Sequence, residues 1–230
     1  MSVICVPYPD SFPAVPFNNL KSIDLRVGTV VEAELAKTRI PALKLTIDFG
    51  EELNETRFQK KKKERQSSAQ VADRYTFKGD TRDDGIERQE IVGKQVVAAI
   101  NFPAKQVGPV MSRFLVLGAV FETEEAGGTV VLCPNSKVPD GSKVIYMSPT
   151  EEPMDLNAWA DKHGEPYYVD PSLLFSLDMR AGKYEQTQAV YVNNIEDESN
   201  RGGFLATRKA DGSITPIRPM TRVPENTLIR

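Results

Sequence analysis

Leu43-Lys-Leu-Thr-Ile-Asp-Phe49 sets Leu43, Leu45, Ile47 and Phe49 on one side of an extended chain and Lys44, Thr46 and Asp48 on the other. Side chains alternate with a period of two along a strand, so this stretch predicts a β-strand with one core face and one wet face. On its N-terminal side, Ile23 to Leu35 is rich in Val with intermittent alternation. It reads as a long first strand in which Gly28 permits a bulge or sharp coil. On its C-terminal side, Gln95 to Phe102 is apolar on nearly both faces, the pattern of a strand covered from both sides. Phe114 to Phe121 and Thr129 to Cys133 are two further β-rich runs, and the polar Glu122–Gly128 segment between them reads as a hairpin loop. With a short Ser67–Val71 run, the count reaches about six short strands and little helix. A small closed barrel has this pattern, and a β-sandwich would give a similar count.

Two segments interrupt the rhythm. Glu51 to Gln66 carries Lys60-Lys-Lys-Lys63 and Arg65 without apolar periodicity, which reads as a solvated, mobile loop. Phe77 to Glu90 is charged and carries Gly79 and Gly85, a second loop-tip insertion. Residues 1–16 are proline-rich and aperiodic, an N-terminal arm. After Pro149, Asp155–His163 and Pro171–Arg180 read as two short helices, each followed by glycine. Val190–Val192 reads as a strand, and Gly203–Ile217 as a hairpin turning at Asp211-Gly212. The organisation expected is an arm (1–16), a β-domain (17–148) and a C-terminal α+β extension (149–230) that is too small to support a core alone.

The net charge of -3 is unevenly spread: residues 1–148 hold 20 Lys and Arg against 19 Asp and Glu, and residues 149–230 hold 9 against 13. The acid excess belongs to the extension, and phosphate affinity in the β-domain would need cations clustered on one face. The two cysteines, Cys5 and Cys133, are far apart and lack metal-ligand spacing, which argues against a disulfide framework or zinc site. No leader and no membrane-length apolar run is visible, so a soluble cytoplasmic protein is expected. His163 is the single histidine and lies in the extension, so Ser-His-Asp and Cys-His arrangements are not available in the β-domain. No Gly-rich phosphate loop occurs, and neither an enzyme nor a bound cofactor is expected.

Several words in the β-domain recur together: Ile23-Asp-Leu-Arg-Val-Gly28, Arg39-Ile-Pro-Ala42, Ile47-Asp-Phe-Gly50, Ser67-Ser-Ala-Gln70, Asn101-Phe-Pro103, Leu115-Val-Leu-Gly118 and Val138-Pro-Asp-Gly141. In this order they resemble the tRNA-binding domain family, and within it the CsaA-type proteins described as tRNA-binding or secretion-related chaperones. The resemblance implies a mainly β fold, a five-stranded OB-fold barrel with a C-terminal α+β extension, and a homodimer. It implies binding of tRNA or other structured RNA without catalysis. Arg39, Lys44 and Lys105 would meet phosphates, and Ser67, Ser68, Gln70, Asn101 and Ser112 would hydrogen-bond sugar, phosphate or base edges. Arg113 stands where the family often has an acidic residue, and would add positive charge. The family's usual link from Ile-Asp-Phe-Gly to Ser-Ser-Ala-Gln is short, whereas this chain inserts the lysine run. The alternative is a chaperone module that binds unfolded polypeptide. Ser67 and Ser68 could instead terminate a strand, Asn101 could form a turn, and Arg39 and Lys44 could be ordinary solvated charges.

Overall fold

The computed structural model describes residues 2–5, 24–102, 104–122, 127–147, 191–194, 204–221, 223 and 228–229. The two helices expected within 155–180, and His163 with them, lie outside the described residues. The protein is mainly β, as expected, with antiparallel sheets.

The proline-rich arm begins with a short strand, β1 (Ser2–Cys5). The decisive stretch forms β3 (Ala42–Asp48), paired antiparallel with the long β2 (Leu25–Ala36). Leu43, Leu45, Ile47 and Phe49 are all buried, as the alternation demanded. The bulge is not at Gly28. The register slips between Val30 and Glu32 instead, and Gly28 serves close packing: a Cβ there would lie 2.6 Å from Ile47 Cγ2 and 2.8 Å from both Asp48 O and Phe49 Cδ1. Next come β4 (Gln66–Ala69), β5 (Tyr75–Thr76), β6 (Gln89–Glu90) and β7 (Gln95–Ala99). They are followed by β8 (Lys105–Val107), β9 (Val110–Ser112), β10 (Leu115–Val116), β11 (Gly118–Glu122), β12 (Gly127–Pro134) and β13 (Lys143–Met147). From the C-terminal extension come β14 (Tyr191–Asn194), β15 (Phe204–Arg208), β16 (Ile214–Pro219) and β17 (Leu228–Ile229).

β7 shows why its sequence lacks a polar side. Val96 and Ala98 pack into one core cluster with Leu43, Leu45, Ile47, Phe49 and Tyr75, while Val97 and Ala99 pack into another with Leu25, Val27, Leu117 and Leu132. The second cluster also takes Leu205, Ile217, Val223 and Ile229 from the extension. The strands agree with this: β15 pairs with β13, β16 with β12, β17 with β11, and β14 with β1. The Asp211-Gly212 turn joins β15 to β16, with Gly212 at a φ of 82° and the Asp211 carboxylate accepting the Ser213 N–H at 2.9 Å.

The lysine-bearing insertion is folded rather than a free loop. It contains a helix, α1 (Glu51–Thr56), and a 3-10 turn over Lys62–Arg65. Asn54 holds its base, donating to Asp48 Oδ1 at 2.6 Å and accepting the Phe49 N–H at 3.2 Å. Phe58, buried to 3%, stacks on Phe49 with centroids 5.1 Å apart, and Phe114 meets Phe49 edge-on at 5.1 Å. One buried aromatic is not a periodic pattern, which is why the segment looked unstructured; the ring pair adds about 0.5–1.5 kcal/mol beyond its buried area. Gln59 and Lys60 then turn the chain in left-handed conformations, at φ of 52° and 54°.

The second charged segment is also held. Arg82 donates to Ala72 O at 2.5 Å and Tyr75 O at 2.8 Å and pairs with Asp80, while Arg88 donates to Ala72 O at 2.9 Å and pairs with Asp84 at 2.6 Å. The Arg82 guanidinium holds the Asp80 carboxyl well below its usual range, and Arg88 brings Asp84 down to about 2. A lowered carboxyl contributes stability above its unfolded value and loses it as pH falls through the folded one, so this clasp is complete at neutral pH and opens only in acid.

The closed five-stranded barrel is not what the strand ladders form. β2, β3 and β4 pair in succession, and β2 pairs again with β7, which pairs with β10. Between β4 and β10 there is no ladder among the described residues. Phe114 turns inward there to reach Phe49, and the gap is spanned by Arg113 N–H to Gln66 O at 3.0 Å and by the Ser67 hydroxyl to Phe114 O at 2.6 Å.

Candidate nucleic-acid interface

The polar side of β3 carries the expected cation. Lys44 faces Glu34 of β2 on one flank, with its ammonium 2.8 Å from the carboxylate, and is the register partner of Ser68 on β4 on the other. The Ser68 N–H donates to Ser112 Oγ at 3.2 Å, and Ser112 stands opposite Lys105 in the β8–β9 hairpin. Gly108 at that hairpin's tip lies against the β2–β3 turn: a Cβ on it would sit 2.8 Å from Thr38 Cγ2, one residue before the exposed Arg39. A continuous path over neighbouring residues therefore joins the Arg39 turn, the Lys105–Ser112 hairpin, Ser68 and Lys44. Gln70, exposed, directly follows β4. Arg113 is ion-paired with Glu64 of the 3-10 turn at 3.1 Å.

Two expected contact residues are spent inside the protein. Ser67 has no solvent exposure, and its hydroxyl lies 2.7 Å from Ser112 Oγ and donates to Phe114 O at 2.6 Å. Asn101 is 5% exposed, and its side-chain oxygen accepts the Asp24 N–H at 2.8 Å. Both look inward because they fasten breaks in the ladder, at the seam and at the start of β2. The Ser68 hydroxyl is buried without a hydrogen-bond partner among the described residues.

Replacing Ser67 with Ala therefore has a structural signature. Loss of the buried hydroxyl leaves Phe114 O with one donor fewer and should cost about 1–3 kcal/mol of stability. A urea titration should show the loss. An unchanged midpoint would mean that the Ser112 hydroxyl, 3.3 Å from Phe114 O, takes over as donor.

The acids on this wall were not anticipated. Glu32 and Glu34 share the polar side of β2, where Glu32 meets Lys62 of the insertion at 2.6 Å as Glu34 meets Lys44. The Lys62 hydrogen bond draws the Glu32 carboxyl below its usual range. Glu55 pairs with Lys60, and the Arg65 guanidinium lies 3.8 Å from Asp48. The spacing Glu32-Ala-Glu34 opposite Lys44 was the signal that could have revealed the first two. Arg39 and Lys63 are exposed and form no ion pair among the described residues. Among the described residues, no group of His, Cys, Asp or Glu could hold a metal ion, and no helix is long and apolar enough to cross a membrane.

No family model matches the chain. Over 129 residues, 56% of its length, the chain is 34% identical to the methionine–tRNA ligase of Methanothrix thermoacetophila, of which it covers 15%. It is 31% identical over 131 residues to that of Archaeoglobus fulgidus, of which it covers 16%. It thus spans only about a sixth of the curated relatives it matches. Among solved structures, the chaperone CsaA of Bacillus anthracis is 38% identical, matched over 57% of this chain and 98% of CsaA, with a TM-score of 0.41. Over that segment the chain is homologous to the methionine–tRNA ligases, in line with the resemblance that its sequence words carry.

Proposed function

We propose that this protein binds tRNA or another structured RNA without doing chemistry on it, through the wall formed by the Arg39 turn, Lys44, Ser68, Ser112, Lys105 and the exposed Gln70. The observation that carries the reading is the continuity of that path within the region homologous to tRNA-binding modules. Cations beside the exposed Gln70 amide suit a backbone tracked by charge and edges read by hydrogen bonds, while the Ser68 and Ser112 hydroxyls are turned to the seam. Ser67 and Asn101 position the wall rather than touch the ligand. The order β2-β3-β4-β10-β7 supports an OB-type ring whose seam is closed by serine hydroxyls instead of a ladder. The resemblance supports a homodimer acting in the cytoplasm, with residues 17–148 as the binding unit and 149–230 as its extension.

Binding of total tRNA measured by filter retention across a salt series tests this. Log K should fall linearly with log salt, and Arg39→Ala with Lys44→Ala should weaken binding across sequences and flatten the slope by about two, one unit for each lost phosphate contact. A slope near zero, or one that the double substitution leaves unchanged, would sink the reading. A second reading, capture of unfolded polypeptide, is favoured by the exposed Val31, Leu35, Ile40 and Met111, which are 41%, 43%, 53% and 40% accessible. Affinity for an unfolded chain resting on those apolar groups should survive the salt that abolishes RNA binding.

A further inference from the structure

The tetralysine insertion reads as an appendage in the sequence, yet the fold lays it over the wall just described. Phe58 roots it in the core against Phe49, and Asn54 fastens its base to Asp48 at the end of β3. From there the left-handed pair Gln59 and Lys60 turns the chain, and Lys62 reaches Glu32. Glu32 and Glu34 lie two residues apart on the polar side of β2, so the Glu32–Lys62 and Glu34–Lys44 pairs form two rungs roughly 7 Å apart. The 3-10 turn that follows binds Arg113 through Glu64, beside Ser112. The insertion thus touches the wall at both β2 and β9. Lys61, at the start of this turn, and Lys63 within it are both exposed, and the Lys61 ammonium donates to the neutral Gln59 side chain at 3.0 Å.

We infer that this insertion is a second phosphate-contacting lip of the RNA-binding wall, and that Glu32 and Glu34 are carboxylate stand-ins that hold Lys62 and Lys44 in place until RNA phosphates replace them. The inference rests on the RNA-binding reading above. An exposed ion pair adds little to stability, so exchanging its carboxylate for a phosphate meets little resistance. Lys61 and Lys63 need no exchange and would add phosphate contacts directly. A rooted lip also gives up less chain entropy on binding than a free loop with the same charges.

The test uses the full chain and total tRNA, with three proteins compared over one salt series: parent, Lys61→Ala with Lys63→Ala, and Glu32→Gln with Glu34→Gln. Circular dichroism melts should show that all three remain folded, since every substituted side chain is solvent-facing. The lysine variant should bind more weakly and lose about two units of salt slope. The glutamine variant should bind more tightly than the parent at low salt. If the parent binds, and Arg39→Ala with Lys44→Ala weakens it, while the lysine variant matches the parent in slope and affinity, the lip is overturned and the RNA-binding wall stands. Weaker binding by the glutamine variant would overturn the stand-in role. If the parent shows no salt-dependent binding, both readings fall together.

Discussion

Removing residues 149–230 should leave a polypeptide that does not fold. Leu205, Ile217, Val223 and Ile229 are each buried to 4% exposure or less in the cluster that also contains Leu25, Val27, Val97, Leu117 and Leu132. Burying one such side chain is worth about 1.5–3 kcal/mol, so losing four removes roughly 6–12 kcal/mol. A domain of this kind has about 5–15 kcal/mol in total. The truncation also strips partners from β13, β12 and β11, leaving unpaired edges next to newly exposed apolar surface. The expected result is no cooperative urea transition together with strong binding of a hydrophobic dye. A cooperative melt close to that of the parent would show instead that residues 17–148 stand alone and that the extension only decorates them.

Phe49→Ala is the second large effect. Phe49 is 1% exposed, stacks on Phe58, meets Phe114 edge-on, and fills the space above Gly28. Truncating a buried Phe to Ala costs about 3–5 kcal/mol, through lost transfer energy and the cavity left behind. Here the cavity would open where three things converge: the first strand pair, the root of the insertion and the turn before β10. The substitution should lower the unfolding free energy from a urea titration by that amount and speed proteolytic cleavage within residues 59–63, because the stack on Phe58 anchors them. A loss under about 1 kcal/mol would mean that the rings around it close the gap.

What could be read beforehand was whatever depends on neighbours in sequence. The alternation in Leu43–Phe49, the two-sided burial of Gln95–Ala99 and the Asp211-Gly212 turn are local patterns, and all three are present in the fold. What could not be read depends on distant partners. Ser2–Cys5 becomes a strand because it meets Tyr191–Asn194, almost the length of the chain away. The insertion folds because one ring, Phe58, finds Phe49 and Phe114. At the site, the words could not separate Ser68, the register partner of Lys44, from Ser67, which faces the interior. Adjacent strand residues face opposite ways, so one position decides between the two roles. Nor could charge counting show that Lys44 and Lys62 are matched by Glu34 and Glu32, since pairing is a matter of strand register.

Between β4 and β10, serine hydroxyls and one amide, Arg113 N–H to Gln66 O, stand in for a ladder. A ladder of amides can shift only by whole residues, and each such step turns every side chain to the opposite face. A hydroxyl swivels about its own bond and keeps a partner through small displacements. Along this line the Ser67 and Ser112 hydroxyls can keep their partners through small displacements, while the amide bond from Arg113 N–H to Gln66 O fixes which residues face each other.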